Sequence, residues 1–127
     1  MFVWRDGKLL LIERKRFPFG FAVPAGHVDG DATYEDAAQR ELKEEVGLDA
    51  GKLELISDIR KENPCRREDG TWHHWKLYKA EASGELVPSK DETKQAGWFT
   101  VEEILALDKE NKLEPVMHDL FEELSII

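Results

Sequence analysis

The feature that most constrains the fold is the stretch R40-E41-L42-K43-E44-E45-V46-G47-L48, which places three glutamates within five residues. A helix turns about 100° per residue, so these three side chains project from one flank. Thr33, followed by Asp36, is typical of a helix start, and Gly47 is typical of a helix end. We therefore expect a helix over residues 33–47 that gathers its carboxylates on one side.

Carboxylates crowded on one helix flank repel one another unless a cation lies among them. The simplest alternative is a solvated acidic face. A glycine-rich turn leads into this helix, A25-G26-H27-V28-D29-G30, and its presence beside the carboxylates weighs against that alternative. Hard oxygen ligands suit Mg²⁺ or Mn²⁺, and Mg²⁺ retains waters and bridges to phosphates. The cluster therefore indicates a divalent-cation site adapted to phosphate chemistry.

The rest of the chain predicts alternating strands and helices. Asp6-Gly7 between the apolar runs F2-V3-W4 and L9-L10-L11-I12 predicts a hairpin, and a short strand lies within residues 17–28. Thr100 with Glu103 predicts the capped start of a second helix. The remaining elements are strands over 53–60, 72–82, 86–87 and 98–99, and helices over 101–105 and 113–125. The order indicates one α/β domain over residues 1–127.

Composition sets the class of protein. Hydrophobic residues make up 41% and charged residues 35%, which is typical of a soluble globular chain, and the net charge of −9 disfavours nonspecific binding to nucleic acid or anionic membranes. No apolar run approaches the length needed to span a membrane. The lone Cys65 excludes an intrachain disulfide, and the start M-F-V-W-R-D-G lacks the features of a signal peptide. We expect a cytoplasmic protein.

The run from Gly26 through R40-E41-L42-K43-E44-E45-V46-G47-L48 resembles the Nudix box of the Nudix hydrolases. The family pattern is Gly, five residues, Glu, seven residues, Arg-Glu, an aliphatic, any residue, Glu-Glu, any residue, Gly, an aliphatic. One position departs from it, because Ala32 stands where the family has its first Glu. The preceding V23-P24-A25-G26 is similar to the family's Pro-Gly-Gly turn, with Ala25 in place of the first Gly.

The resemblance extends over nearly the whole chain and implies an α/β/α sandwich with a mixed central sheet and a strand–loop–helix–loop catalytic unit. The family hydrolyses nucleoside diphosphates linked to another group X, using metal ions. Carried over by position, the metal ligands are Gly26, Glu41, Glu44 and Glu45, and the cofactor is Mg²⁺ or Mn²⁺. Arg40 would orient Glu41 or Glu44, and the alternative is a surface pair with Asp36 or Glu44.

The general base is open at this point. Family members often recruit an acidic residue from a distant loop, and Glu92, six residues before Trp98, is our candidate. Many relatives carry a Glu three residues before this Trp, where this chain has Gln95, which cannot act as a base. Glu92 as a solvated loop charge, and Glu44 or Glu45 as the base, are the alternatives.

Substrate contacts are expected around the entrance to the box. Arg14, within E13-R14-K15-R16, resembles the Arg that often ends this strand in the family and meets substrate phosphate; Arg16 is a further candidate. A surface basic run is the alternative. Phe19 could stack on a base or pack at the rim, and His27 lies beside Gly26 in sequence.

The resulting hypothesis is a metal-dependent pyrophosphohydrolase of a nucleotide-type substrate, such as a nucleoside triphosphate or a nucleotide sugar. The alternative is a catalytically weak domain that binds a nucleotide as a sensor or regulator, which Ala32 and Gln95 favour. Loss of the box Glu at Ala32 is expected to weaken orientation rather than abolish metal binding, with Asp29, Asp31 and Glu35 open as replacements. A homodimer is compatible with the resemblance, although no motif establishes it.

Overall fold

In the computed structural model, which describes residues 1–15, 19–24, 33–61, 73–91 and 93–126, the chain begins with the expected hairpin. Strands β1 (Phe2–Arg5) and β2 (Lys8–Arg14) pair antiparallel around the Asp6-Gly7 turn. Both turn residues have positive φ, 53° and 76°, as a tight hairpin turn of type I′ requires.

The hairpin is the middle of a mixed sheet. Strands β3 (Gly20–Ala22), β4 (Asp49–Lys61), β5 (His73–Ser83) and β6 (Thr93–Phe99) complete the six found in the described residues. The order is β3-β2-β1-β5-β4, and β6 pairs with β2. Only the β1–β5 pairing is parallel among these. The single parallel pair makes the sheet mixed, as expected.

Three helices flank the sheet in the described part of the chain: α1 (Tyr34–Val46), α2 (Val101–Lys109) and α3 (Pro115–Glu123). The Thr33 hydroxyl accepts a hydrogen bond from the Asp36 amide at 3.0 Å and caps α1. Gly47 ends the helix with φ 74°. Thr100 and Glu103 form a reciprocal capping box on α2. The starts predicted for α1 and α2 are thus confirmed.

Each face of the sheet has its own core, because alternate strand residues point to opposite faces. Leu10 and Ile12 pack with Leu42 and Val46 of α1 on one face. Residues of α2 and α3 pack on the other face, where the Phe2 and Phe121 rings meet edge to face with centroids 6.1 Å apart. Helices on both faces of a mixed sheet confirm the predicted α/β/α sandwich. None of the described helices combines the length and apolar character that a membrane span requires.

Several predicted bounds were wrong. Strand β4 begins at Asp49 rather than 53, and β6 begins at Thr93 rather than 98, because pairing with β5 and β2 extends them through polar residues. Residues 86–87 form no strand; the Val87 amide instead bonds the Val46 carbonyl at 2.7 Å. Helix α2 extends to Lys109, and α3 covers only Pro115–Glu123.

Candidate functional site

The glutamate-bearing flank of α1 places its three carboxylates in different environments. The Glu44 side chain is 57% exposed, whereas that of Glu41 is 14% exposed. Glu45 is buried, with 3% of its surface exposed. A buried carboxylate is costly unless charges or hydrogen bonds compensate it. The flank therefore runs from a solvated carboxylate to a desolvated one.

Arg40 links two of these carboxylates. Its Nη1 donates to Glu41 Oε1 at 2.9 Å and to Glu44 Oε2 at 3.1 Å. Sequence reasoning left open whether Arg40 orients a box glutamate or forms a plain i,i+4 surface pair; the geometry includes the i,i+4 pair with Glu44 and adds the contact to Glu41. One guanidinium nitrogen thus holds both side chains in a fixed relation.

Glu45 interacts electrostatically with the buried amine of Met1. The Met1 amine donates to the Pro24 carbonyl at 2.7 Å; burial lowers the pKa of this amine to about 5, and the negative charge of Glu45 opposes that shift. The Glu45 charge thus acts on the Met1 amine, whose acceptor Pro24 precedes the candidates Gly26 and His27 in sequence. Both of those candidates lie outside the described residues.

The loop after β5 is fixed to the C-terminal end of this helix. The Ser89 amide donates to the Glu45 backbone carbonyl, and the Thr93 amide donates to the Ser89 carbonyl, at 2.7 and 3.1 Å. These bonds bring the segment that leads into β6 against the box helix. The base candidate Glu92 belongs to this stretch of sequence but lies outside the described residues.

The donor set fits a divalent cation of the hard, oxygen-preferring kind. Glu41, Glu44 and Glu45 offer carboxylate oxygens from one flank, and Glu45 offers one in a desolvated position where a bound cation would offset its charge. Such a site leaves coordination positions for water and phosphate oxygens. The donor chemistry is thus of the kind expected from the sequence, but among the described residues the three box glutamates do not bring their ligand atoms within 4.8 Å of one another.

The candidate substrate-binding residues lie at and after the end of β2. Arg14 is the last residue of this strand, with Gly20 of β3 and Thr93 of β6 as its two cross-strand partners. Phe19, the stacking candidate, is 59% exposed and therefore contributes no core packing. Arg16 lies outside the described residues.

Gln95 has a structural partner. Its Nε2 donates to Glu13 Oε1 at 2.8 Å, and the two residues are also cross-strand partners in the β2–β6 pairing. An amide in this bond links β6 to β2 and takes no proton from water. The geometry therefore agrees with the expectation that Gln95 is not a base.

Ala32, which stands where the family has a box glutamate, lies outside the described residues, as do Asp29 and Asp31. The third residue considered as a replacement, Glu35, accepts a hydrogen bond from the hydroxyl of the buried Tyr78 at 2.7 Å. This bond ties the first turn of α1 to β5.

Sequence reasoning missed Glu114. This residue precedes α3, is 3% exposed, and has a raised pKa because burial disfavours its charged form, an effect that the positive charge of Arg14 opposes. The sequence did contain a feature by which Glu114 could have been found. A glutamate directly precedes Pro115 at a helix start, a position where Ser, Thr, Asp or Asn is usual. A cleft of about 450 Å³ opens beside it, lined by Asp108, Asn111, Leu113, Glu114, Pro115 and His118.

A separate group of possible ligands lies on α3. The ligand atoms of His118, Asp119 and Glu122 all lie within 4.8 Å of one another. His118 is also bonded to Asp108 through Nδ1 at 2.8 Å. This group belongs to the face of the sheet opposite α1, so any test of metal binding at the box glutamates has to control for it.

Comparison with known proteins extends the resemblance. Residues 1–120 match the family model described as NUDIX domain. The NAD-capped RNA hydrolase NudC of Pseudomonas aeruginosa is 31% identical over 120 residues, which are 94% of this chain and 41% of that protein. The ADP-ribose pyrophosphatase of Methanocaldococcus jannaschii is 52% identical over 46 residues, 35% of this chain and 27% of that protein.

A solved structure agrees with these matches. The MutT NUDIX hydrolase from Burkholderia pseudomallei superposes with a TM-score of 0.69 at 30% identity, covering 80% of each chain. This chain spans about two-fifths of the length of the NudC relative. The box residues in register, the sandwich with its capped α1, and a family match over residues 1–120 lead to one conclusion: the chain belongs to the NUDIX domain family.

Proposed function

We propose that this protein is a metal-dependent pyrophosphohydrolase of nucleotide-type diphosphates, and that its substrates contain an ADP-ribose unit, as ADP-ribose and NAD do. Two relatives support this choice of substrate, since one is named as a hydrolase of NAD-capped RNA and another as an ADP-ribose pyrophosphatase. Both kinds of substrate contain a pyrophosphate that joins adenosine to a second ribose. ADP-ribose also falls within the nucleotide-sugar class expected from the sequence.

The observation that carries the proposal is the three-glutamate flank of α1 with its Arg40 bridge. Glu41, Glu44 and Glu45, with the carbonyl of Gly26, would hold Mg²⁺ or Mn²⁺. The bound cations would neutralise charge on the phosphoryl oxygens and lower the pKa of a bound water. Arg40 keeps Glu41 and Glu44 aligned, so that these carboxylates need not reorganise when substrate binds.

In the reaction, a water oxygen attacks one phosphorus and forms a new P–O bond. The bond from that phosphorus to the bridging oxygen breaks, and the departing phosphate takes the electron pair. The attacking water loses a proton to a carboxylate, for which Glu92, Glu44 and Glu45 are the candidates. ADP-ribose would yield AMP and ribose 5-phosphate. Arg14, with its planar fork of donors, would bind a phosphate that does not react.

The test is a substrate panel of ADP-ribose, NAD, a nucleoside triphosphate and UDP-glucose, each with Mg²⁺ and with Mn²⁺. We expect AMP to be released most efficiently from the two substrates that contain ADP-ribose. Glu45→Gln should lower kcat by at least about 100-fold, because a carboxylate ligand is replaced by a neutral amide. Glu54→Gln is the matched control, since Glu54 is exposed on β4. Equal loss in both variants would contradict the assignment of Glu45.

The second candidate, a nucleotide sensor, is favoured by two residues. Gln95 is engaged with Glu13 where many relatives carry a glutamate, and Ala32 departs from the box. A sensor should bind ADP-ribose without hydrolysing any member of the panel. If the protein is instead an enzyme limited by its box, Ala32→Glu should raise kcat/KM.

A further inference from the structure

The hydroxyl of Thr93, the first residue of β6, is buried without satisfying its hydrogen-bonding capacity. Only 4% of Thr93 is exposed, and its Oγ1 finds no hydrogen-bond partner among the described residues. A buried hydroxyl in this position costs free energy, because it has given up its bonds to water. Valine has nearly the same shape and would avoid this cost. A ligand that supplies the missing bond would explain why a hydroxyl stands here.

Thr93 lies on the face of the sheet that α1 covers. Ile12 of β2 and its cross-strand partner Ala96 of β6 both pack in the core formed with α1. Side chains two residues apart along a strand share a face, so Arg14 follows Ile12 on this side. Arg14 pairs with Thr93, because a register shift at this point passes over the exposed Lys94. The buried hydroxyl and the partly exposed Arg14 therefore face the side of the box helix together.

Backbone hydrogen bonds also connect Thr93 to the box helix. The Thr93 amide donates to the Ser89 carbonyl at 3.1 Å, and the Ser89 amide donates to the Glu45 carbonyl at 2.7 Å. Thr93 is thus joined on one side to the strand end that carries Arg14 and on the other to the helix end that carries Glu45. A diphosphate that bridges Arg14 and cations bound at the box would pass close to Thr93.

We propose that the Thr93 hydroxyl donates a hydrogen bond to the substrate phosphate that Arg14 binds. This inference rests on the proposed function, because it takes the phosphate beside Arg14 as part of the substrate. The Cβ atoms of cross-strand partners lie about 4.5–5.5 Å apart, so a guanidinium and a hydroxyl on one such pair can reach the same phosphate. A phosphate has several acceptor oxygens, and the hydroxyl can donate to one of them while the guanidinium donates to others.

In this structure the Thr93 hydroxyl is closed to solvent, so substrate meets it only after a neighbouring side chain moves. We assign this movement to Arg14, the partly exposed cross-strand partner, whose guanidinium turns towards the phosphate as it binds. The Thr93 bond then forms only in the complex, where it satisfies a group that the fold leaves unsatisfied. Its contribution should appear mainly in KM, because it is made with a phosphate that does not react.

The test compares removal of the hydroxyl at Thr93 with the same removal at Thr100. Thr93→Val should raise KM for ADP-ribose with Mn²⁺ about tenfold, the effect of losing a hydrogen bond to a charged group. It should leave Tm unchanged or higher, because it removes an unsatisfied polar group. The Thr100 hydroxyl has a partner, the Glu103 amide at 3.2 Å, so Thr100→Val should lower Tm and leave KM unchanged. An equal fall in Tm for both variants would show that the Thr93 hydroxyl stabilises the fold, and would overturn the proposal.

The kinetic outcomes separate the role of Thr93 from the proposed function. If Thr93→Val leaves KM unchanged while Arg14→Gln raises it, the role of Thr93 is overturned and the proposed function stands. If Arg14→Gln leaves KM unchanged, the two residues share no phosphate and the inference is wrong. If no substrate of the panel is hydrolysed, the proposed function fails, and the calorimetric Kd for ADP-ribose with Mn²⁺ decides: we expect Thr93→Val to weaken binding about tenfold, and an unchanged Kd would overturn the inference.

Two smaller variants keep the inference testable if Thr93→Val fails to fold. Thr93→Ser retains the hydroxyl and Thr93→Ala lacks it, while both lose the methyl group. We expect the serine variant to keep a KM near that of the unaltered protein, and the alanine variant to have a KM about tenfold higher. Equal KM values in the serine and alanine variants would contradict the proposed bond to phosphate.

Discussion

At the scale of single residues, the decisive contact is the Arg40 guanidinium between Glu41 and Glu44. The sequence predicted that these side chains share a helix flank, because the helix period alone decides that. It did not predict that Glu45 would be buried while Glu44 is 57% exposed. Burial depends on the sheet and on the 87–89 loop that packs against the end of α1, and no local pattern encodes that packing.

Arg40 gives the first prediction. Made in the His118→Gln protein, Arg40→Gln should weaken Mn²⁺ binding by about 10- to 100-fold, the usual effect of removing a group that orients metal ligands. Electron paramagnetic resonance of free Mn²⁺ measures this affinity. Lys43→Gln is the control on the same helix, because the Lys43 contacts to Asp49 and Gly47 are long, at 3.4 and 3.5 Å. Equal affinities in the two variants would show that Arg40 is only a surface partner.

At the scale of helices and strands, the starts of α1 and α2 and the end of α1 were predictable, whereas the bounds of β4 and β6 were not. Thr33, Gly47 and the Thr100–Glu103 box act on the nearest backbone groups, so their effect is local and can be recognised in sequence. Strands β4 and β6 take their bounds from partners far along the chain. Glu114 was missed for the same reason, since the strand residue that its amide bonds, Phe21, lies far away in sequence.

The cap of α1 gives a second prediction. Thr33→Ala should lower the free energy of unfolding by about 1 kcal/mol, because the Asp36 amide loses its hydrogen-bond acceptor. Thr33→Ser should retain most of the stability, since it keeps the hydroxyl. Urea denaturation followed by circular dichroism measures both. Equal stabilities for the alanine and serine variants would contradict the capping role.

The contact between α2 and α3 gives a prediction about pH. His118 Nδ1 lies 2.8 Å from Asp108 Oδ1 and Nε2 lies 3.1 Å from Glu122 Oε1. The bond with Asp108 is the main cause of a raised pKa of His118, and the charges of Asp108, Glu122 and Asp119 add to it. A pKa raised in the folded state stabilises the fold below the unfolded value of about 6.5, and that stability is lost as pH rises through the folded pKa.

The check compares the unaltered protein with His118→Gln across this range. The difference in unfolding free energy should be largest below about pH 6.5 and should shrink above the raised pKa. The imidazole is exposed, so salt should reduce the difference. A difference that does not vary with pH would exclude a contribution from the charged imidazole.

At the scale of the whole molecule, the sheet separates two groups of possible metal ligands. The box glutamates lie on α1, and His118, Asp119 and Glu122 lie on α3. The sequence predicted the first group and the sandwich around it; the second arises from helix spacing and carries no motif. Metal uptake by the protein therefore has to be assigned to one face before it says anything about catalysis.

The most direct test is a calorimetric titration of Mn²⁺ into His118→Gln with AMP present, repeated after adding Glu45→Gln. We expect saturable uptake in His118→Gln that Glu45→Gln weakens by at least about tenfold, because a carboxylate ligand has become a neutral amide. Uptake that is absent from the His118→Gln protein, or that is unchanged by Glu45→Gln, would contradict the claim that these glutamates bind divalent cations.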